Sequence, residues 1–171
     1  GVYSTRLNEP GGIRRCAILR ARLYGIFYST INCQNWSIRD IEIYMSDNAV
    51  TASSRAINIS LCAGAMVMDR VTVNNWSGAG TNIGTGIYCA HTGGHAPAIT
   101  NCHFEGCLTG IRQAANDLKV SNITGNATTT LLFGRDNPSV NTVIDSLYSG
   151  GSPTAFGDST SGYTAGGIIL Y

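Results

Sequence analysis

The sequence predicts an all-β fold, a right-handed parallel β-helix (β-solenoid) of about six coils, and three observations predict it. A short apolar motif recurs every 20–31 residues, a second apolar row keeps step with it, and the stretches between them lack helical periodicity.

The first motif, apolar-x-x-apolar-x-apolar, reads Ile38/Ile41/Ile43, Met68/Val71/Val73, Ile99/Cys102/Phe104, Val120/Ile123/Gly125 and Ile144/Leu147/Ser149, with starts separated by 30, 31, 21 and 24 residues. Ile18/Ala21/Leu23, 20 residues before Ile38, and Ile168, 24 residues after Ile144, extend the series at its two ends. The second row is Gly25-Ile26, Ala56-Ile57, Gly86-Ile87, Gly110-Ile111, Leu131-Leu132 and Ala155-Phe156. From the end of the first motif to this row the interval is 7 residues in three coils, but 14 in two neighbouring ones, Ile43 to Ile57 and Val73 to Ile87.

Parallel stacking turns these rows into inward ladders such as Ile26/Ile57/Ile87/Ile111/Leu132, and six coils rising about 4.8 Å each make a rod about 29 Å long. Leucine-rich repeats have a similar length, but the β-branched rungs, the variable coil length and the missing helical half argue against them. Residues 1–12 read as an N-terminal lead-in and 13–171 as one β-helix domain, which suits a chain of 171 residues. The chain opens at Gly1 without an initiator Met and ends on the apolar run Ile168-Ile169-Leu170-Tyr171, which suggests a piece of a longer or oligomeric assembly.

Net charge is +1 and Lys119 is the only lysine, so the basic stripe that a phosphate backbone requires is missing and nucleic acid is not an expected partner. Arg14, Arg15, Arg20 and Arg22 cluster early; they read as a solvated face or as a contact for an anionic partner or sugar. No apolar window is long enough for a membrane span, and the N-terminus lacks a signal-peptide layout. The six cysteines include no C-x-x-C pair, so no metal site is expected; reduced, buried thiols are, with Cys89 and Cys102 pointing inward. No cofactor motif of the Walker or dinucleotide type is present, and no G-x-S-x-G elbow.

The two matched insertions, Tyr44 to Arg55 and Asn74 to Gly86, leave one corner side by side and form a wall of loops. Tyr44, Asp47, Arg55, Asn74, Asn75 and Trp76, with Tyr88 just beyond, mix aromatic platforms and hydrogen-bonding groups in the way sugar rings require. Ordinary long turns, with Trp76 folded over the body, are the alternative. Glycoside cleavage needs two carboxylates about 5–10 Å apart across a groove. Asp40, Glu42, Asp69 and Glu105 are the candidates, although ten acidic residues on stacked rungs produce such pairs unavoidably. Arg39 beneath Asp69 and Asp40 beneath Arg70 are expected as surface ion pairs. His91 and His95, separated by two glycines, read as a turn, and His103 as an outward strand residue. Five Asn-x-Ser/Thr sequons, at Asn35, Asn58, Asn75, Asn122 and Asn126, fit the Asn-rich corners of such a fold.

The ladder of Ile38, Met68, Ile99, Val120, Ile144 and Ile168 resembles the pectate-lyase-like β-helix superfamily. The scarcity of lysine, the Gly/Asn/Ser/Thr-rich turns and the aliphatic rungs look most like bacteriophage tailspikes and tail fibres. The resemblance covers most of residues 13–171 and is architectural. It implies a homotrimer that sits in the virion tail beside other virion proteins and recognises bacterial surface polysaccharide, and that in many cases cleaves it with Asp or Glu. A secreted polysaccharide lyase or hydrolase, and a purely structural rod, are the alternatives. The Arg-x-Pro-x-x-Arg pattern of pectate lyases, the Gly-His-Gly and Arg-Ile-Lys of polygalacturonases and the Asp-Pro-His-Glu of alginate epimerases are all missing, so those specific activities are not expected.

Overall fold

In the computed structural model of the chain, the described residues are 2–4, 11–29, 35–45, 53–60, 65–75, 83–90, 97–115, 117–126, 134–135, 142–149 and 168–170. Along the chain the strands are β1 (Val2–Ser4), β2 (Gly11–Ala21), β3 (Tyr24–Ser29), β4 (Trp36–Met45), β5 (Arg55–Ser60), β6 (Met66–Asn75) and β7 (Ile83–Ala90). There follow β8 (Ala98–Glu105), β9 (Cys107–Ala115), β10 (Leu118–Asn126), β11 (Gly134–Arg135), β12 (Thr142–Ile144), β13 (Leu147–Ser149) and β14 (Ile168–Leu170). No helix occurs among the described residues.

Two parallel sheets result. One has six strands in the order β1-β3-β5-β7-β9-β11; the other has eight, with β2, β4, β6, β8, β10, β12 and β14 in line and β13 also on β10. From β1 to β12 the chain visits the two sheets alternately, so each strand lies beside the strand two places on. This path is compatible with a β-solenoid.

Ile38, Met68, Ile99, Val120 and Ile144 stand opposite one another on successive strands, as the first motif requires. The three-residue step from Ile38 to Ile41 needs a physical cause, because residues i and i+3 of a straight strand face opposite sides. The cause is a corner. Arg15, Asp40, Arg70, Asn101 and Asn122 all have left-handed backbones, with φ between 50° and 55°, and the register places them in one column. Each turns its strand so that the residues on both sides point inward. Ile38, Ile41 and Ile43 are buried, as are Met68, Val71 and Val73.

The third motif position is filled unequally. Phe104 is wholly buried there, and its neighbours give way: Gly125, at φ 149°, has no room for a Cβ against the Phe104 backbone. Across the core, a Cβ on Gly86 would lie 2.5 Å from Phe104 Cδ1 and 2.6 Å from the Gly110 carbonyl. Phe104 thus bears on both glycines, through its backbone at Gly125 and through its ring, with the Gly110 carbonyl, at Gly86.

The end rungs differ from the expected register. β2 pairs through Ile13, Cys16 and Ile18 with Ile38, Ile41 and Ile43, not through Ile18, Ala21 and Leu23. Ile13-x-x-Cys16-x-Ile18 carries the same apolar spacing, and the corner at Arg15 sets its phase. Leu23 is exposed. At the other end Leu170, not Ile168, stands opposite Ile144. In the six-stranded sheet Ile26, Ile57, Ile87 and Ile111 form the expected ladder, whereas Gly134 pairs with Arg112, 22 residues back where Leu132 and Ile111 implied 21; Leu132 lies outside the described residues. Part of the segment expected as a lead-in forms β1, which pairs with β3.

Candidate functional site

The two insertions share both anchors. β4 and β6 end side by side, with Tyr44 opposite Asn74 and Met45 opposite Asn75, and the chain re-enters with Arg55 of β5 opposite Thr85 of β7. Residues 46–52 and 76–82, including Asp47 and Trp76, lie outside the described residues, as do His91 and His95. Asn75 closes β6.

On the re-entry side, the Arg55 guanidinium carbon lies 3.5 Å from the centroid of the Tyr88 ring, within cation–π range. Arg55 Nη1 donates to Asn58 Oδ1 at 2.5 Å, and Asn58 Nδ2 donates to Ser60 Oγ at 3.3 Å. Asn58 is only 1% exposed, so its amide is a buried, satisfied strut that fixes the arginine over the ring. The same burial closes its sequon to glycosylation in the folded chain. Phe27, Asn58, Tyr88 and Arg112 form the outward column beside the inward Ile26, Ile57, Ile87 and Ile111, and Tyr24 packs against Phe27 at 4.9 Å between centroids. Arg55 and Tyr88, two of the candidate binding residues, are thus brought together. Phe27 and Asn58 were missed, although their place directly after the second-row isoleucines marks them as outward.

The four candidate carboxylates divide into two pairs. Asp40 and Asp69 belong to the corner column. Arg70 grips Asp40 with Nε 2.5 Å from Oδ1 and Nη2 3.2 Å from Oδ2, and its Nη1 donates to Asp69 Oδ2. Asp69, 8% exposed, also accepts from Thr100 Oγ1 at 3.0 Å and Asn101 Nδ2 at 2.8 Å. The chain of bonds continues from Asn122 Nδ2 to Asn101 Oδ1 at 2.8 Å. The bond from Arg70 holds the Asp40 carboxyl below the usual carboxylate range. This is the chemistry of a strut, since an acid catalyst must carry its proton near working pH. The expected Arg39–Asp69 pair is replaced by Arg70–Asp69, and Arg39 Nε is buried without a partner among the described residues.

Glu42 and Glu105 are exposed on the outward face beyond the corner, where Glu42, Thr72, His103 and Thr124 form one column and Tyr44, Asn74 and Glu105 the next. The Tyr44 hydroxyl donates to Glu42 Oε2 at 3.1 Å, and that bond pushes the Tyr44 hydroxyl pKa up. His103 Nδ1 lies 2.9 Å from Thr124 Oγ1 and Nε2 3.7 Å from Glu105 Oε2. Two rungs and two residues separate Glu42 from Glu105, about 12 Å between Cα atoms at ordinary strand spacings.

Cys89, Cys102 and Cys107 are buried. Burial pushes the thiols of Cys89 and Cys102 up to about 12 and that of Cys107 higher still. Cys16 is exposed, contrary to the expectation of buried thiols, because β2 is the terminal strand of its sheet and has a neighbour on one side only. Cys33 and Cys62 lie outside the described residues. Among the described residues no three metal-ligating side chains come together, and no helix is long and apolar enough to cross a membrane. No family model matches the chain, and no curated protein or solved structure does.

Proposed function

We propose that the chain closes into a right-handed parallel β-helix of about six coils that recognises bacterial surface polysaccharide, as a segment of a phage tailspike or tail fibre. In that setting it acts as a homotrimer beside other virion proteins. One observation carries the reading: Arg55 is stacked over Tyr88 and tied to the buried Asn58, beside the anchors of the two long connections. A preorganised aromatic and guanidinium surface offers a sugar both an apolar face and fixed donors, with little ordering left to do on binding. Tyr24 and Phe27 extend the aromatic surface.

The test is binding of the full chain to an array of bacterial capsular and O-antigen polysaccharides. Binding weakened at least tenfold by Tyr88→Ala, and weakened also by Trp76→Ala, supports the site. Absence of binding across the array overturns the reading.

A second reading, polysaccharide cleavage, is favoured by the exposed Glu42 and Glu105 on the face that carries Tyr44 and His103. Release of reducing ends that disappears in Glu42→Gln or Glu105→Gln would establish it. Release that survives both, and also Asp40→Asn and Asp69→Asn, removes all four carboxylates from that role.

A further inference from the structure

The early arginines have no part in the site so far, and the structure gives two of them a distinctive setting. Ile18 pairs with Ile43 and Ala21 with Met45, so Leu19 and Arg20 together stand opposite the single residue Tyr44. This is a β-bulge, a device that re-aims side chains at the edge of a sheet. Arg20 sits in the left-handed region at φ 56°, a conformation that costs a non-glycine residue free energy. The bulge turns Leu19 out to 64% exposure and leaves Arg20 exposed; Arg22 is exposed and Leu23 is 50% exposed. The Leu23 carbonyl accepts from the Arg55 backbone N–H at 2.9 Å, so this ledge adjoins the Arg55–Tyr88 stack directly.

Charge along the chain adds a second, independent observation. Residues 1–39 hold six arginines against Glu9 alone, a net of +5; residues 40–171 hold four arginines and Lys119 against nine carboxylates, a net of −4. Between Gly11 and Arg39 there are five arginines and no acidic residue. Strands stack in chain order within each sheet, so among the described residues the arginines between Gly11 and Arg39 lie towards one end of the stack, the end that carries the bulge.

We propose that the polysaccharide recognised at the Arg55–Tyr88 site is anionic, with Arg20 and Arg22 taking its acidic groups and Leu19 and Leu23 lying against the apolar faces of its rings. The proposal rests on the glycan-binding reading and names its substrate class. Arginine forks match carboxylate and phosphate oxygens in bidentate geometry, so uronate-type and phosphate-bearing polymers share the required chemistry.

The experiment compares acidic polysaccharides, both carboxylate- and phosphate-bearing, with neutral ones on the same array, and each carboxylate-bearing hit with its carboxyl-reduced form. The expected result is binding confined to anionic polymers, weakening as salt rises, and lost at least tenfold on carboxyl reduction. Arg20→Gly and Arg22→Gln should each weaken binding about tenfold, while Lys119→Gln leaves it unchanged. Arg20→Gly carries a further signature: glycine accepts the left-handed backbone freely, so the variant should melt no lower than the parent while binding worse. Hits among neutral polymers alone, or undiminished binding by both arginine variants, overturn the anionic assignment and leave glycan binding standing. Silence across the whole array overturns both.

Discussion

Arg70 reaches back one rung to clasp Asp40 with two guanidinium nitrogens, Nε at 2.5 Å and Nη2 at 3.2 Å, while its third nitrogen holds Asp69 of its own strand. One arginine thus ties neighbouring strands together at the outside of the corner. Its bond keeps the folded-state value of Asp40 below the ordinary 3.8. The lowered value means that the stabilisation is fully present above about pH 4 and is lost as pH falls through the folded value. Asp40→Asn lacks this contribution at every pH. Thermal melts should therefore show a gap between parent and variant at pH 7 that narrows progressively as pH falls below about 4; a gap that stays constant into strongly acidic buffer would count against the clasp.

The packing of Phe104 against Gly86 makes a second prediction. Alanine at position 86 places a methyl group 2.5 Å from the ring and 2.6 Å from a backbone carbonyl, so something must shift. Gly86→Ala should destabilise by about 1–3 kcal/mol, as overpacked cores do. Phe104→Leu opens space on the ring side only, and the double variant should lose less than the sum of the singles in urea unfolding. Strict additivity would mean that the carbonyl contact alone sets the penalty.

The centre of the fold was legible because its rungs repeat one chemistry: Ile38, Met68, Ile99 and Val120 carry the same spacing, and nothing interrupts the strands between them. The ends were less legible. At the first rung Cys16 occupies the middle position and a bulge follows Ile18, so two phases of the motif fitted equally well by composition. The corner was hidden for another reason. Asn101, Asn122 and Asp40 are residue types that enter the left-handed region readily, but Arg15 and Arg70 are not, and their backbone is imposed by the stack around them. In the candidate site, Arg55 and Tyr88 stood out as ring and charge, whereas the strut Asn58 looked like one more turn asparagine. Its bonds are to Arg55 and Ser60 of its own strand, and they gain their role only because Arg55 lies over Tyr88 of the next strand, which sequence order does not reveal.

Tyr28 carries a buried hydroxyl without a hydrogen-bond partner among the described residues, packed against Trp36 at 4.6 Å between ring centroids, and burial pushes its pKa up to about 12. An unpaired buried hydroxyl keeps its desolvation penalty with no bond to offset it. Tyr28→Phe removes the oxygen and keeps the ring, so the variant should be about 1 kcal/mol more stable in urea titration. A loss of stability would show that the hydroxyl is paired in solution.

Thiol labelling tests burial directly. Cys89, Cys102 and Cys107 are enclosed and their thiols are held protonated, whereas Cys16 is exposed. Iodoacetamide on the native chain, followed by peptide mapping, should modify Cys16 and leave these three untouched until urea unfolds the protein. Native labelling of Cys102 would mean that the sheet opens at its middle.

The corner column offers a stabilising change. Asn101 and Asn122 hold the left-handed backbone and are bonded to each other, and Arg15 holds the same conformation on an exposed terminal strand. Asparagine tolerates this region far better than arginine does. Arg15→Asn should therefore raise stability by about 1 kcal/mol, read as a higher urea midpoint at an unchanged slope. Arg15 also lies near enough to help hold the Asp40 carboxylate ionised, an effect opposed to the gain from backbone relief. Repeating the titration at high salt separates the two, because salt screens the charge and leaves the backbone preference intact. The stabilisation should grow with salt; a variant no more stable than the parent at high salt would show that the corner imposes no strain on Arg15.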